Sequence, residues 1–429
     1  MTAATVRSLV VVALLVSGLL MAGSATAEWT AQATGVGDDL YGMYCLTEDV
    51  GYATGWGTSS GGVVLNTTNG GDSWASVVPR SGAYLFSTCF LDDRTGFAVG
   101  CDAGVTSYAL ISKTDDGGAN WTHTLKSNSW GFYAVEFPTP TIGYTCGWQG
   151  KIYKTIDGGG TWAGLPSGTT DVIRWMHFVD ENIGYVVSGT NWDNPSRVRK
   201  TVDGVTWTLV KSFTGGTVIG GIHFLDADTG LVAGSNGSEV IMKSTDGGLN
   251  WDVVHTGPAG RVLQAIHMNG ETGYAVGSAG RILRTTDSGD TWELDEIVTP
   301  ASTLLSVYAV GDCAFAGGAG GKMHRREPET GVDAVDESHG LLLQNFPNPF
   351  NPNTTIRYEL TRPGDAVVEV FDAAGRLVRR LTEENVPAGV HEMVWDGRDD
   401  ERRPVASGAY YYRLETDDHS ATRKMVLLK

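Results

Sequence analysis

Short apolar runs rich in Val, Ile, Phe and Tyr alternate with clusters of Gly, Asp, Asn and Ser over most of this chain. The apolar positions show no 3.6-residue period, so the pattern predicts short strands joined by tight turns rather than helices. The strands recur in sets of four. The first strand of a set ends on an aromatic residue, as at Phe90, Phe137, Phe178 and Phe224. An acidic turn follows, as at Asp92-Asp93, Asp180-Glu181 and Asp226-Ala227-Asp228. The second strand opens on Gly-aromatic, as at Gly51-Tyr52, Gly96-Phe97, Gly143-Tyr144, Gly184-Tyr185 and Gly273-Tyr274. A third strand, such as Lys151-Ile152-Tyr153-Lys154, runs into a fixed octapeptide, and a fourth starts at that octapeptide's Trp.

The octapeptide has the form Ser/Thr-x-Asp-x-Gly-x-Thr-Trp. It stands at 67–74, 114–121, 155–162, 244–251 and 285–292, with a copy one residue short at 201–207. The Asp or Asn oxygen can accept N–H bonds from its own turn, Gly supplies positive φ, and Trp buries a large face. Asn69, Asp116, Asp157, Asp203, Asp246 and Asp287 are therefore read as turn-makers rather than catalytic acids. Trp74, Trp121, Trp162, Trp207, Trp251 and Trp292 recur at intervals of 47, 41, 45, 44 and 41 residues, a propeller-blade period. After Trp292, residues 304–325 repeat three strands with no further octapeptide. Trp29 lies 45 residues before Trp74 and resembles a fourth strand with no blade ahead of it. The N-terminal strand is thus expected to complete the last blade and close a ring of seven, which removes exposed sheet edges.

Past the propeller the pattern changes. Residues 327–343 are polar and read as a linker. From 344 to 429 a Pro-rich segment (Asn345 to Asn353) precedes alternating strands at 355–360, 366–371, 390–395 and 409–414, a pattern that fits an Ig-like β-sandwich. The fold class expected is all-β: a seven-bladed propeller over 28–326 followed by this small sandwich. At the other end, Arg7, an apolar stretch from Leu9 to Ala22 and Ala25-Thr26-Ala27 read as a signal peptide over 1–27. No later segment is apolar and long enough to span a membrane.

The net charge is −18, and residues 338–429 hold 14 acids against 12 bases, so the acidity belongs to the propeller. That argues against a nucleic-acid partner, which needs a basic footprint. The five Cys (45, 89, 101, 146 and 313) are scattered without metal-ligand spacing and are read as small buried hydrophobes.

The octapeptide is the Asp-box, or bacterial neuraminidase repeat. The longer unit, as in Gly143 to Trp162, resembles the photosystem II stability/assembly factor propellers. That resemblance implies a non-catalytic protein that binds a protein partner. Asp-boxes also occur in sialidases, but the Arg-Ile-Pro motif and Arg triad of a sialidase are not recognisable here. The C-terminal segments 348–352, 395–399 and 407–414, with 424–429, resemble the type IX secretion C-terminal sorting domain and the flagellar hook-capping Ig-like domain. The sorting resemblance implies export to the outer surface of a Gram-negative cell through the type IX machinery, with Gly408, Tyr410, Tyr412, Lys424, Val426 and Lys429 carrying it.

Two sets of residues are candidates for chemistry. His177 and His223 hold one position in neighbouring blades, with Cys89 and Glu136 equivalent to them; they are read as packed between blades, with no metal and no cofactor expected. The loops opposite the Asp-boxes carry Trp130, Arg174, Trp175, Trp192, Arg197, Arg261 and Arg281, and Trp and Arg are the residue types enriched at binding hot spots. The reading is a non-catalytic exported propeller that binds a protein or glycan through that face. A glycan hydrolase on the same fold and a purely structural surface protein are the alternatives.

Overall fold

The computed structural model describes residues 28–57, 61–102, 108–127, 130–189, 195–326, 341–342, 345, 350, 352–360, 362–372, 375–416 and 420–427. The signal-peptide reading at 1–27 lies outside them. The chain divides into two compact units, residues 27–329 and 330–429. Among the described residues no helix is long and apolar enough to cross a membrane.

The first unit is a seven-bladed propeller, each blade a four-stranded antiparallel sheet. Blade 1 comprises Asp39–Cys45, Gly51–Trp56, Gly61–Thr67 and Ala75–Ser81, from the axis outward. The next five blades repeat that order. In blade 7 the outermost strand is Trp29–Gln32, paired antiparallel with Met323–Arg326. The expected closure is therefore present. Trp29 donates its backbone N–H to Glu296 Oε2 (3.0 Å) and its indole N–H to Asp295 Oδ2 (2.7 Å). Arg326 reaches the same Asp295 at 3.1 Å.

The sequence repeat has a packing reason. At four seams the aromatic residue of one blade's second strand stacks on the Phe at the end of the next blade's first strand. Tyr52 meets Phe90 at 3.4 Å, Tyr144 meets Phe178 at 3.9 Å, and Tyr185 meets Phe224 at 3.4 Å between centroids. The Asp-box Trp then packs edge-on to that Phe, as Trp207 does to Phe178 (5.9 Å, 90°). The Tyr144 hydroxyl completes the seam by donating to the carbonyl of Glu181 (2.8 Å). Gly143 is required by the stack of the preceding seam, where Phe137 meets Phe97 at 4.4 Å: a Cβ there would lie 2.5 Å from the Phe137 ring.

Every innermost strand carries one register shift at the same place. The unpaired residues are Tyr41, Phe86, Tyr133, Arg174, Gly220, Gln264 and Leu305, one per blade. A bulge of this kind re-aims a side chain and leaves its backbone outside the ladder. Four of the unpaired residues, Tyr41, Phe86, Tyr133 and Leu305, line the axial channel toward its upper mouth. The lower mouth is formed by the turns between first and second strands.

The second unit is a two-sheet sandwich. One sheet holds Leu341–Leu342, Thr354–Leu360 and Gly389–Trp395; the other holds Leu377–Val386, Gly364–Asp372, Gly408–Glu415 and Ser420–Leu427. Trp395, Tyr358, Tyr412, Phe350 and Leu427 fill its core. Two features depart from the sequence reading. Leu341–Leu342, assigned to the linker, pairs with Glu359 and Tyr358. Leu377–Val386, not read as a strand, is a sheet edge whose Arg379, Arg380 and Glu383 hide its alternation.

Candidate functional site

The upper mouth carries a continuous arc of aromatic side chains. Tyr84 packs on Trp56 (4.3 Å), Trp56 on Tyr41 (6.5 Å), Tyr41 on Phe86 (5.9 Å) and Phe86 on Tyr133 (4.9 Å). The arc ends where the Arg174 guanidinium lies 5.2 Å from the centre of the Tyr133 ring. All six residues are half-buried. Three of them, Tyr41, Phe86 and Tyr133, line the channel together with Trp175. Burial raises the Tyr41 and Tyr133 phenols above their ordinary range, so both stay neutral.

The residues predicted to bind separate into paired and unpaired groups. Arg197 is held by Asp171 at 2.8 Å. Arg281 makes two contacts to Glu239, at 2.9 and 3.1 Å. Glu239 is fully buried; burial would raise its carboxyl, but hydrogen bonds from His255 and Arg281 outweigh it and hold it low. Arg197 and Arg281 are therefore committed to structural ion pairs. Arg174 differs: among the described residues no carboxylate pairs with it, and its Nε is buried without an acceptor. Trp130 is 59% exposed and packs on Trp148 at 5.9 Å. Arg261 is exposed. Trp175 is half-buried and also packs into the core between blades 4 and 5. Trp192 lies outside the described residues. Arg174 and Trp175 are thus brought to the channel mouth; Trp130, Arg197, Arg261 and Arg281 are not part of the arc.

Sequence reasoning passed over Tyr41, Phe86 and Tyr133. A signal was available: they stand four residues before Cys45, Phe90 and Phe137, as Arg174 stands before Phe178.

The Asp-boxes are closed turns. In the third blade Thr155 Oγ donates to Asp157 Oδ1 (2.8 Å), which also accepts the N–H of Thr161 (2.8 Å). Asp157 Oδ2 accepts the Thr161 hydroxyl at 2.7 Å. Those bonds, the Thr161 N–H foremost, bring its carboxyl down to about 2. In the shortened box Asp203 accepts instead from Val205 and Thr206 (2.8 and 2.7 Å).

Lower in the channel sits a second ring: Tyr44, Cys89, Glu136, His177, His223, His267 and Tyr308, one residue per blade. The sequence reading had Cys89, Glu136, His177 and His223 packed between blades; instead they line the channel. Having the inner strand at the axis decides this, because that strand has no neighbour on its inner side. The rings stack around the circle, His177 on His223 (4.1 Å), His223 on His267 (5.0 Å) and His267 on Tyr308 (4.0 Å). Burial, with the neighbouring imidazoles, drives His223 well below its usual range and His267 down to about 3. Burial also pushes the Cys89 thiol up to about 12. Among the described residues no three His, Cys, Asp or Glu side chains converge as metal ligands would. The channel encloses a cavity of about 280 Å³.

In the second unit Tyr410 and Tyr412 are core residues. The Tyr412 hydroxyl accepts the backbone N–H of Asn345 (2.8 Å), and Tyr410 donates to the carbonyl of Ala406 (2.7 Å). Gly408 opens their strand at φ 153°. The side chains of Lys424 and Val426, and all of Lys429, lie outside the described residues.

Two family models match the chain. Residues 200–300 match that of the photosynthesis system II assembly factor YCF48, and residues 351–420 match that of the FlgD Ig-like domain. The chain is a propeller similar to the YCF48 assembly factors, with a C-terminal Ig-like domain. Among solved structures, YCF48 from Cyanidioschyzon merolae is 19% identical with a TM-score of 0.58, over 71% of this chain and all of the other. A structure of YCF48 bound to D1 peptide gives 18%, 0.56, and 70% of this chain against 96% of the other. PorZ of Porphyromonas gingivalis, a surface component of the type-IX secretion system, gives 14% and 0.51. That match covers 93% of this chain and 60% of PorZ. At such identities the likeness establishes the fold. No curated protein matches the chain significantly by sequence.

Proposed function

We propose that this protein is an exported, non-catalytic propeller that captures a protein partner across the upper mouth of its channel. The observation that carries the reading is the arc from Tyr84 to Arg174, a half-exposed aromatic surface ending in a cation with no carboxylate partner among the described residues. Aromatic and Arg side chains supply most of the energy of protein interfaces when they meet a partner together. A peptide suits this arc better than a sugar. Sugar stacking needs free ring faces, and here Phe86 and Arg174 both pack against the Tyr133 ring. That one relative binds a D1 peptide agrees with this reading. Against hydrolysis, the described residues that line the cavity include a single carboxylate, Glu136, where a glycosidase uses a pair.

The C-terminal domain serves, in this proposal, as a type IX sorting signal that delivers residues 28–326 to the outer surface. The test of capture is Arg174→Glu. Partner proteins cross-linked to the wild-type chain on cells should be lost from this variant, while Asp157→Ala retains them in proportion to folded protein. Equal capture by Arg174→Glu would remove the upper mouth from the function. Hydrolysis of a sialoside or β-glucan by pure protein would overturn the non-catalytic reading.

A further inference from the structure

The lower ring brings Glu136 Oε1 and His177 Nδ1 face to face. Glu136 Oε2 accepts the backbone N–H of Phe178 at 2.8 Å, while Oε1 accepts no hydrogen bond among the described residues. His177 Nε2 lies 3.0 Å from the carbonyl oxygen of Phe224. A carbonyl only accepts, so a neutral His177 carries its proton on Nε2 and presents a lone pair at Nδ1. That Nδ1 stands 3.7 Å from Glu136 Oε1. A carboxylate oxygen and an imidazole lone pair at this spacing suit one donor with several N–H bonds placed between them.

The surroundings favour a cation in that place. Of the residues lining the cavity, Glu136 is the one carboxylate and none is Lys or Arg. Burial keeps His223 and His267 neutral, so neither adds positive charge to the lining. Its walls are aromatic: Tyr44 and Tyr308 (5.2 Å apart) and the stacked imidazoles. Aromatic walls with a carboxylate at one point are the chemistry that recognises ammonium groups. Glu136 and His177 remain accessible from the channel, with side chains 31% and 19% exposed.

The approach is charged to match. The ring lies within two residues of the strand ends, so it opens toward the turns between first and second strands. Those seven turns (46–50, 91–95, 138–142, 179–183, 225–229, 270–271 and 311–312) carry ten carboxylates and one base, Arg94. Lys154 and Lys200, on the same side of the molecule, are spent on carbonyls of Gly204 and Ala227 across the blade seams. A mouth lined by one sign of charge concentrates ions of the other.

We propose that the lower channel is a binding site for a primary alkylammonium group, either a lysine side chain of a protein or a free alkylamine. It enters from the acidic face and donates to Glu136 Oε1 and His177 Nδ1. A cavity of about 280 Å³ suits a side chain or small amine rather than a large ligand. Only the lysine source rests on the partner-binding reading above; the pocket stands on its own geometry.

The experiment titrates the full chain with four probes by ligand-observed NMR. Pentylammonium and the peptide acetyl-Gly-Lys-Gly-amide carry the charge; pentanol and the norleucine peptide do not. The charged probes should bind at least tenfold more tightly than their neutral counterparts, and Glu136→Gln should weaken them at least tenfold. Stronger binding of the lysine peptide assigns a protein source, and stronger binding of pentylammonium a free amine. Arg174→Glu should leave all four affinities unchanged, which separates this site from partner capture at the upper mouth. Equal binding of charged and neutral probes overturns the proposal. So does unchanged ammonium binding in folded Glu136→Gln, or a site that takes zinc and rejects both amines. If Glu136→Gln fails to fold, the charged-to-neutral comparison on the wild-type chain still decides.

Discussion

Single residues set the acid response of this protein through two separable mechanisms. His267, with its folded-state pKa held down to about 3, ordinarily titrates near pH 6.5 once unfolded. The unfolded chain then binds the extra proton, so stability is complete above about pH 6.5 and declines as pH falls toward 3. His223 acts in the same direction. Asp157 and Asp287, both held down to about 2, lose their contribution only between about pH 4 and pH 2. A melting-temperature profile should therefore begin to fall near pH 6, well above the carboxylate range. His267→Gln should flatten that upper segment and leave the lower one. A wild-type profile flat from pH 7 to 4.5 would show that the channel histidines do not carry it. Asp157→Ala should lower the melting temperature at pH 7 by a few degrees, because the turn loses its acceptor for Thr161 and Thr155.

At the level of strands and blades, three seams are three-ring units of Tyr, Phe and Trp, and a fourth joins Phe97, Phe137 and Trp162. Phe178 is buried against Tyr144 and Trp207. Phe178→Ala should cost about 3–5 kcal/mol, the range for deleting a buried aromatic. Tyr144→Phe keeps the stack and loses the hydroxyl bonds to Glu181 and Gly204, which should cost about 1 kcal/mol. Chemical denaturation of the two variants checks the ratio; equal losses would mean that the hydroxyl, not the ring, fastens the seam. This pattern was visible in the sequence because it repeats, and its residues do the same job at each of those four seams. The bulge was not visible. Strict alternation would place Tyr41 with Met43 and Cys45, but the unpaired residue shifts the strand by one and turns Tyr41 toward the mouth.

For the whole molecule, closure is the feature that makes seven sheets one structure. Deleting residues 28–34 removes the outer strand of blade 7 and leaves Met323–Arg326 as an open edge, with Asp295 and Glu296 deprived of Trp29. The melting temperature should drop sharply, and limited proteolysis should cut first in blade 7. Cleavage spread evenly over the blades would mean that closure contributes little. Residues 28–329 and 330–429, having separate cores, should each fold when expressed alone. Removing residues 420–429 should then leave the propeller folded but held in the periplasm of a host with type IX machinery. Surface display of that truncated chain at normal levels would make the Ig-like domain an accessory module.

The sequence by itself determined the all-β class, the blade period, the count of seven, the closing strand at Trp29 and the sandwich that follows. These rest on local chemistry: turn-forming Asp and Gly, alternation along strands, and a Trp at a fixed interval. It also marked Arg174 and Trp175 by residue type, but placed them on loops, whereas both lie in the innermost strand Ile173–Phe178. Only the tertiary structure decided which cations were free. Arg197 and Arg281 look like Arg174 in sequence, but Asp171 and Glu239 reach them from positions 26 and 42 residues away. The tertiary structure also turned Glu136 and three histidines from four separate strands into one lining. Ring closure sets that grouping, since residues about a blade apart in the chain become neighbours only when all seven inner strands face a common axis.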